Sequence, residues 1–561
     1  MDGTSALSRQ GREGTWVLPA LFLGAALAFT GLFPEHGLWF PDEPRVAGIG
    51  REMFDKGSFF LPLLGGRPFL EKPPLYWWAQ MGSFSLFGVH PWSARLPSAL
   101  FSLLAMAAAF AMGRKLSGGK GGFLAVGVLG TTLLFCQTMY KCLVDPALVF
   151  ALSWAHYGLL CLHVPSSERE RKAGLFLASF FLPLAFLAKG VVGIGLGLGP
   201  FLLYLLARRR FREILSLGPF FLLLAGLFLV LAGGWAWGLY REGGPEALKE
   251  CLLGNTIGRF LGTTRKYGHL HSPLFYAGTL VGRFMPWTLA LPALFSLPPA
   301  REEGERREAW FTLAALVGFG LLLLSLASSK RSLYLLPLLP ALAALLGGWL
   351  LRTGREERSL DRLTMKALLL LSWILPPAVF LFFLLCPLLP GKDPFLDRCR
   401  ALFRPGILLA SGTAVLAWTC FLGWKVLPLL RSRRRPGPLA VLLPLVMVLL
   451  ALKGIQPPLL EPLKSAHHVS KAVKGFLERG EEGALFQPRE SLRGLLYFDL
   501  QRSFPELSRE ETLPWLKEGG RRFLLVEERK LKRLPREIRE ETREVWRGGG
   551  KKPFVILKSR S

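Results

Sequence analysis

The sequence predicts a polytopic α-helical membrane protein of about thirteen spans ending in a small α/β domain. Three observations carry that prediction. Hydrophobic residues make up 51% of the 561, and apolar runs of about 20 residues, the length a bilayer demands, recur along most of the chain. The connections between those runs are alternately basic, as cytoplasmic loops are. From about residue 457 the long apolar runs stop and charges of both signs mix with short β-like pieces, as in a separate unit of roughly 100 residues. The formal charge of +29 would suggest nucleic acid in a soluble protein. Here it lies in short loops between spans, so membrane lipids are the expected partner and nucleic acid is not. The seven cysteines have neither metal-ligand nor disulfide spacing.

The expected spans are 15–33, 93–113, 121–139, 143–163, 173–189, 190–207, 217–238, 273–297, 308–327, 332–351, 366–388, 406–424 and 437–453. Arg9 and Arg12 precede the first, which is long enough to be retained as a helix rather than cleaved. With the N-terminus inside, Arg114-Lys115, Arg169 to Lys172, Arg208 to Arg210, Arg306-Arg307, Arg352 to Arg358 and Arg431 to Arg435 all fall in cytoplasmic loops. These inside loops read as simple basic clusters. An odd number of spans places the C-terminus outside. The domains are therefore 1–456, transmembrane, and 457–561, a periplasmic α/β unit. In the latter, Gly483–Phe486, Leu495–Phe498, Arg522–Val526 and Pro553–Leu557 read as strands, and Val469–Glu478, Glu511–Lys517 and Pro535–Glu541 as helices.

Residues 34–92 form the first external loop, too long for an ordinary turn and dense in ionisable groups. Asp42 is placed to cap a helix with Pro44 in its first turn, carrying Val46, Ile49 and Met53 at helical spacing until Gly57. A second, aromatic helix follows over Tyr76–Phe87. Two short helices along a membrane surface are expected.

Most of the unusual residues share the external face. Asp42-Glu43 offers a carboxylate to take a proton from an acceptor hydroxyl or to orient it; the plainer reading of Asp42 is the helix cap. Lys72 offers a cation for a phosphate, and Glu71 either a ligand for a divalent metal or a partner for an arginine; an exposed charge pair is the plainer reading. Asp145 opens a span before Pro146, where capping alone would favour an acid. Lys189 interrupts apolar sequence and needs an interface or an anion. Arg265 and its basic neighbours suit an anionic ligand, and His269 or His271 with Glu71 forms a set for zinc, although solvated histidines are commoner. Lys330, in Ser329-Lys330-Arg331, is a further cation, with snorkelling as its plainer role. Together these residues describe an external site for an anionic ligand.

Asp42-Glu43-Pro44-Arg45, Arg51-Glu52-Met53, Phe69 to Pro74 and Ala94-Arg95-Leu96-Pro97-Ser98 resemble the first loop of bacterial type-C (GT-C) glycosyltransferases. The likeness is to the branch of protein O-mannosyltransferases and lipid A aminoarabinose transferases. Val144-Asp145-Pro146, Ala188 to Gly193, His271 to Tyr276 and Ser329 to Pro337 agree in order. The resemblance implies transfer of a sugar from a polyprenyl-phosphate donor to a lipid, glycan or protein acceptor at the outer face of the bacterial inner membrane. It implies Asp42 as the essential acid with Asp145 as the second. Glu71 and a histidine of the 269–271 pair are implied as ligands of a divalent metal (zinc, magnesium or manganese). Lys72 is implied as a contact to the donor phosphate, with Arg45, Lys189, Arg265, Lys330 and Tyr334 completing the substrate site. The aminoarabinose transferases are expected to carry Asp-Glu-Thr-Arg-Tyr-Ala-Glu at the first motif; here Pro44, Val46 and Gly48 replace the Thr, Tyr and second Glu, which leaves the sugar and the acceptor open. A lipid-linked saccharide flippase would instead place charges along a membrane path and often repeat its topology.

Overall fold

The computed structural model describes residues 15–32, 35–257, 271–295, 304–351, 359–385, 424, 426–428, 431, 437–518, 521–548 and 553–560. Helices occupy the expected spans with three exceptions, the first being 121–139, which breaks at the extended Thr132 between helices ending at Thr131 and spanning Leu133–Thr138. Residues 406–423 lie outside the described residues, as do Arg265, His269 and the loop 352–358. The segment 273–297 is not one helix. It breaks into α9 (Phe275–Arg283), a 3₁₀ turn Trp287–Ala290 and a short helix Leu291–Phe295, because Pro286 has no N–H to continue the helical ladder.

The membrane bundle begins with α1 (Val17–Phe29) and, after the first loop, α4 (Pro91–Thr131), which reverses at Ser117–Gly118 into a hairpin. Next come α5 (Asp145–His163), α6 (Glu168–Lys189) and α7 (Val191–Ala207). Between α6 and α7 the chain turns on Gly190 alone, at φ +64, a left-handed conformation that a side chain resists. The helix α8 (Gly218–Leu252) follows, with Leu222, Leu229 and Val230 widely exposed on its apolar surface, as suits a lipid-facing helix. The remaining long helices are α10 (Glu305–Leu326), α11 (Leu339–Leu351, entered through a 3₁₀ turn from Ser332), α12 (Ser359–Leu385) and α13 (Pro438–Lys464). Among the described residues, seven helices are long and apolar enough to cross a membrane. At the end of α5 remote from Asp145, His163 lies between Glu213 and Glu308, and Arg210 meets Glu308 at 3.0 Å. These loops are thus more than basic clusters: their carboxylates tie three segments together.

In the first loop, α2 (Glu43–Lys56) ends at Gly57 as the pattern predicts. The Glu52 carboxylate accepts the Gly65 and Gly66 amides at 2.7 and 2.8 Å and so shapes the hairpin β1 (Leu63–Leu64)–β2 (Arg67–Pro68) that leads into Glu71 and Lys72. The aromatic helix α3 (Leu75–Phe87) then returns the chain to the bundle. Unlike a helix resting on a membrane surface, α2 is sandwiched. Val46, Ile49 and Met53 are buried in the bundle core, and its other side meets the C-terminal domain.

That domain contains α14 (His467–Glu478), β3 (Glu482–Phe486), α15 (Glu490–Leu500), β4 (Glu506–Leu507), α16 (Arg509–Lys517), β5 (Arg522–Glu527), α17 (Arg536–Glu541), β6 (Thr542–Gly548) and β7 (Phe554–Ser559). The sheet order is β4-β3-β5-β7-β6, parallel in its first three strands and antiparallel at β7 and β6. Strand alternation divides its core: Phe523, Leu525 and Ile556 pack on one face, Leu524, Val526 and Val555 on the other. Leu495–Phe498, expected as a strand, lies within α15; Leu492, Leu495 and Leu496 are buried together at the i, i+3, i+4 spacing of a helix. The membrane helix α13 runs unbroken to Lys464, beyond the compositional change.

Candidate active site

The segment carrying Asp42 is fixed by its neighbour. Glu43 is buried, takes Arg95 of α4 through Nε at 2.9 Å and Nη2 at 2.8 Å, and accepts the amides of Trp39 (2.8 Å) and Cys142 (2.9 Å). Burial alone would raise its carboxyl; the Arg95 guanidinium and the two amides outweigh that and hold it at about 2. Glu43 is therefore the structural half of the Asp42-Glu43 pair. Asp42 sits at the N-cap position of α2 but makes no side-chain capping bond. Its carboxylate pairs instead with Arg45 at 3.0 Å and Arg331 at 3.7 Å.

Asp145 opens α5 and accepts a 2.5 Å hydrogen bond from Lys189, the last residue of α6. The turn at Gly190 leaves the lysine at that helix end, and its ammonium stands 4.5 Å from the centroid of the Tyr334 ring, a cation–π contact. Lys72 completes the group. Burial pushes it down to about 8, with the Arg45 and Lys189 cations adding to the effect and Asp145 and Glu71 opposing it. Asp42, Arg45, Glu71, Lys72, Asp145, Lys189 and Tyr334 thus share one cluster, fed by the first loop, the starts and ends of spans, and the 331–334 turn.

Two expected residues stand elsewhere. Lys330 is buried and donates to the carbonyls of His271 (3.2 Å) and Ala327, so it anchors the 271 loop, and the adjacent Arg331 is the cation that meets Asp42. His271 is exposed and stacks on Phe275, ring centroids 4.4 Å apart. The described residues contain no group of three His, Cys, Asp or Glu side chains able to hold a metal, and Glu71 lies in the fields of Arg45 and Lys72. Of the expected ligand set, His269 lies outside the described residues, so the described part of the set is Glu71 and His271. Arg331 and Arg95 are two further residues that hold the Asp42-Glu43 pair. Each lies in a quoted motif, yet only packing reveals its carboxylate. Among the named cluster residues and Arg331, cations outnumber carboxylates by one, which suits an anionic ligand.

The family model for dolichyl-phosphate-mannose-protein mannosyltransferases matches residues 71–237. The crystal structure of ArnT from Cupriavidus metallidurans bound to undecaprenyl phosphate superposes with a TM-score of 0.71 over 98% of both chains, at 19% identity. The chain has the fold of that enzyme. Its membrane core and C-terminal sheet domain are both parts of that fold, since the superposition spans nearly the whole chain. The archaeal oligosaccharyltransferase AglB from Archaeoglobus fulgidus shares the type-C fold more distantly, with a TM-score of 0.52 and 10% identity over 92% of this chain and 70% of the other. In sequence, an undecaprenyl phosphate-α-4-amino-4-deoxy-L-arabinose arabinosyl transferase of Pseudomonas fluorescens is 31% identical over 342 residues, 60% of each chain; this match spans three fifths of that relative's length. The Pseudomonas paraeruginosa enzyme of the same name is 29% identical over 515 residues, 88% of this chain and 89% of its own.

Proposed function

We propose that this protein is a membrane glycosyltransferase that takes a sugar from a polyprenyl-phosphate donor and transfers it to a lipid, glycan or protein acceptor on the periplasmic side of a bacterial inner membrane. The observation that carries the reading is the convergence of Asp42 with Arg45, Lys72, Lys189 and Arg331 at the ends of apolar helices. A lipid-borne phosphate is amphiphilic, and a cationic cluster at the mouth of a helical bundle suits both of its parts. The similarity to undecaprenyl phosphate-dependent arabinosyl transferases favours undecaprenyl phosphate as the carrier.

In the reaction, the bond between the anomeric carbon and the donor phosphate oxygen breaks, and its electron pair stays on the phosphate. Lys72 and the neighbouring cations stabilise that growing charge in a site partly shielded from water, where such stabilisation is strong. The acceptor oxygen forms the new bond to the anomeric carbon. If the acceptor is a hydroxyl, its proton passes to Asp42; if it is an ionised phosphate, no base is needed and Asp42 orients it. Asp145 holds Lys189 toward Tyr334, and Glu71 balances the charge of Lys72 and Arg45. With Glu71 as an ion-pair partner, activity is expected to survive strong chelation, whereas its loss on chelation and return with zinc or manganese would make Glu71 a ligand.

The test is direct. Purified protein in lipid nanodiscs receives undecaprenyl phosphate-linked 4-amino-4-deoxy-L-arabinose and lipid A, with other undecaprenyl-phosphate sugars in parallel. The proposal expects free undecaprenyl phosphate to appear together with a mass gain on the acceptor. Failure to consume any polyprenyl-phosphate sugar, with each acceptor class supplied, would sink it.

A further inference from the structure

The end of α13 and the C-terminal domain that follows it grip the Asp42 segment from both sides. Before Asp42, the Phe40 amide donates to the Lys464 carbonyl at 2.9 Å, and Trp39 pairs with Ser465 as an isolated bridge. The Gly37 amide and the Trp39 indole both donate to Glu461, at 3.0 and 2.9 Å, and the Ser491 hydroxyl donates to the Pro41 carbonyl. After Asp42, Arg45 donates through Nη1 to Glu490 at 2.8 Å while its Nη2 reaches Asp42 at 3.0 Å. One turn further on, α2 and α15 cross at Gly48 and Gly494. A Cβ on Gly48 would lie 2.4 Å from the Gly494 Cα, and one on Gly494 would lie 2.3 Å from the Pro44 carbonyl oxygen. The crossing therefore admits glycine alone on either helix, which accounts for Gly48 where the related motif carries a glutamate.

We infer that the C-terminal domain completes the active site by supplying Glu490 as a positioning residue that fixes Arg45, and through it Asp42, with the Gly48–Gly494 crossing setting the distance. A guanidinium has a planar fork of donors. With Nη1 committed to Glu490, its Nη2 edge is presented to Asp42, and the carboxylate keeps one orientation. Without Glu490 the fork is free to rotate, and Asp42 follows it. The role rests on the transferase reading for its kinetic consequence, but the holding itself is a property of the fold.

Two measurements on the full-length protein test it. Hydrogen exchange over residues 37–48 is expected to be about tenfold faster in E490A and in G494A than in wild type, and unchanged in G475A, a glycine of the same domain with open space around it. Unchanged exchange in both E490A and G494A overturns the inference whatever the enzyme's activity. In the transferase assay, E490A is expected to lower kcat about tenfold with the donor KM within about twofold, and E490Q, which keeps an acceptor oxygen, to recover part of the loss. The R45A/E490A double variant is expected to be no slower than R45A, because Glu490 acts only through Arg45. Losses that multiply, or wild-type kcat in E490A, overturn it. An inactive wild type with exchange faster as expected would count against the transferase reading and leave the docking intact.

Discussion

Asp42 and Glu43 are adjacent carboxylates with opposite duties, and the difference lies in their partners. Glu43 holds Arg95 at 0% exposure and joins three segments. Glu43→Gln leaves a buried guanidinium without its counter-charge and is expected to cost about 3–5 kcal/mol, read as a large fall in melting temperature in detergent. Its carboxyl lies below the ordinary value, at about 2 rather than 4.5, so its contribution is fully present above about pH 4.5 and is lost as pH falls toward 2. Lys72 has the reverse sense of charge. At about 8 it is roughly 90% protonated at pH 7 and roughly 10% at pH 9, while the donor phosphodiester stays anionic throughout. Donor affinity is therefore expected to weaken about tenfold between those pH values, and Lys72→Arg to flatten that profile in a binding titration. The residues of this cluster were legible in the sequence as types in order; their partners were not. Arg95 lies 52 positions from Glu43, and Arg331 rather than Lys330 meets Asp42 because the turn after α10 directs one side chain to backbone carbonyls and the next to the site.

At the scale of elements, apolar runs and glycine stops located most helices, including the reversal at Gly190. That glycine has φ +64 and ψ −147, outside the region open to other residues. Gly190→Ala is expected to cost about 1–3 kcal/mol and to move Lys189 away from Asp145, so both thermal stability and donor affinity should fall. An alanine variant with wild-type values for both would mean that the turn does not position the lysine. The failures have physical causes. Pro286 breaks an otherwise apolar segment. The Leu495–Phe498 run is short enough for strand and helix periods to look alike, and only burial of Leu492, Leu495 and Leu496 on one face decides. Strand β6 (Thr542–Gly548), TREVWRG, has no apolar run to mark it in the sequence; its pairing with β7 defines it.

For the whole molecule, the alternation of basic loops predicts sidedness. A cysteine at the exposed Arg169 is expected to react with an impermeant thiol reagent only from the cytoplasm, and one at the exposed Glu478 only from the periplasm; labelling of both from one side would contradict the placement of the site. The membrane fold and its terminal domain were readable from composition, because lipid imposes length and charge rules on every span. The docking of that domain was not, since a crossing of two glycines leaves no mark in hydropathy. The claim on which the account turns is that Asp42 works in the reaction rather than in the helix. Since its side chain makes no capping bond, Asp42→Asn removes the charge that pairs with Arg45 and Arg331 and leaves the helix start intact. The decisive measurement is sugar transfer from undecaprenyl phosphate by the purified Asp42→Asn protein, alongside its affinity for undecaprenyl phosphate. The account predicts a folded protein that binds undecaprenyl phosphate as tightly as wild type or tighter, having lost a nearby negative charge, with turnover lower by about 100-fold. Wild-type turnover in that variant would contradict it.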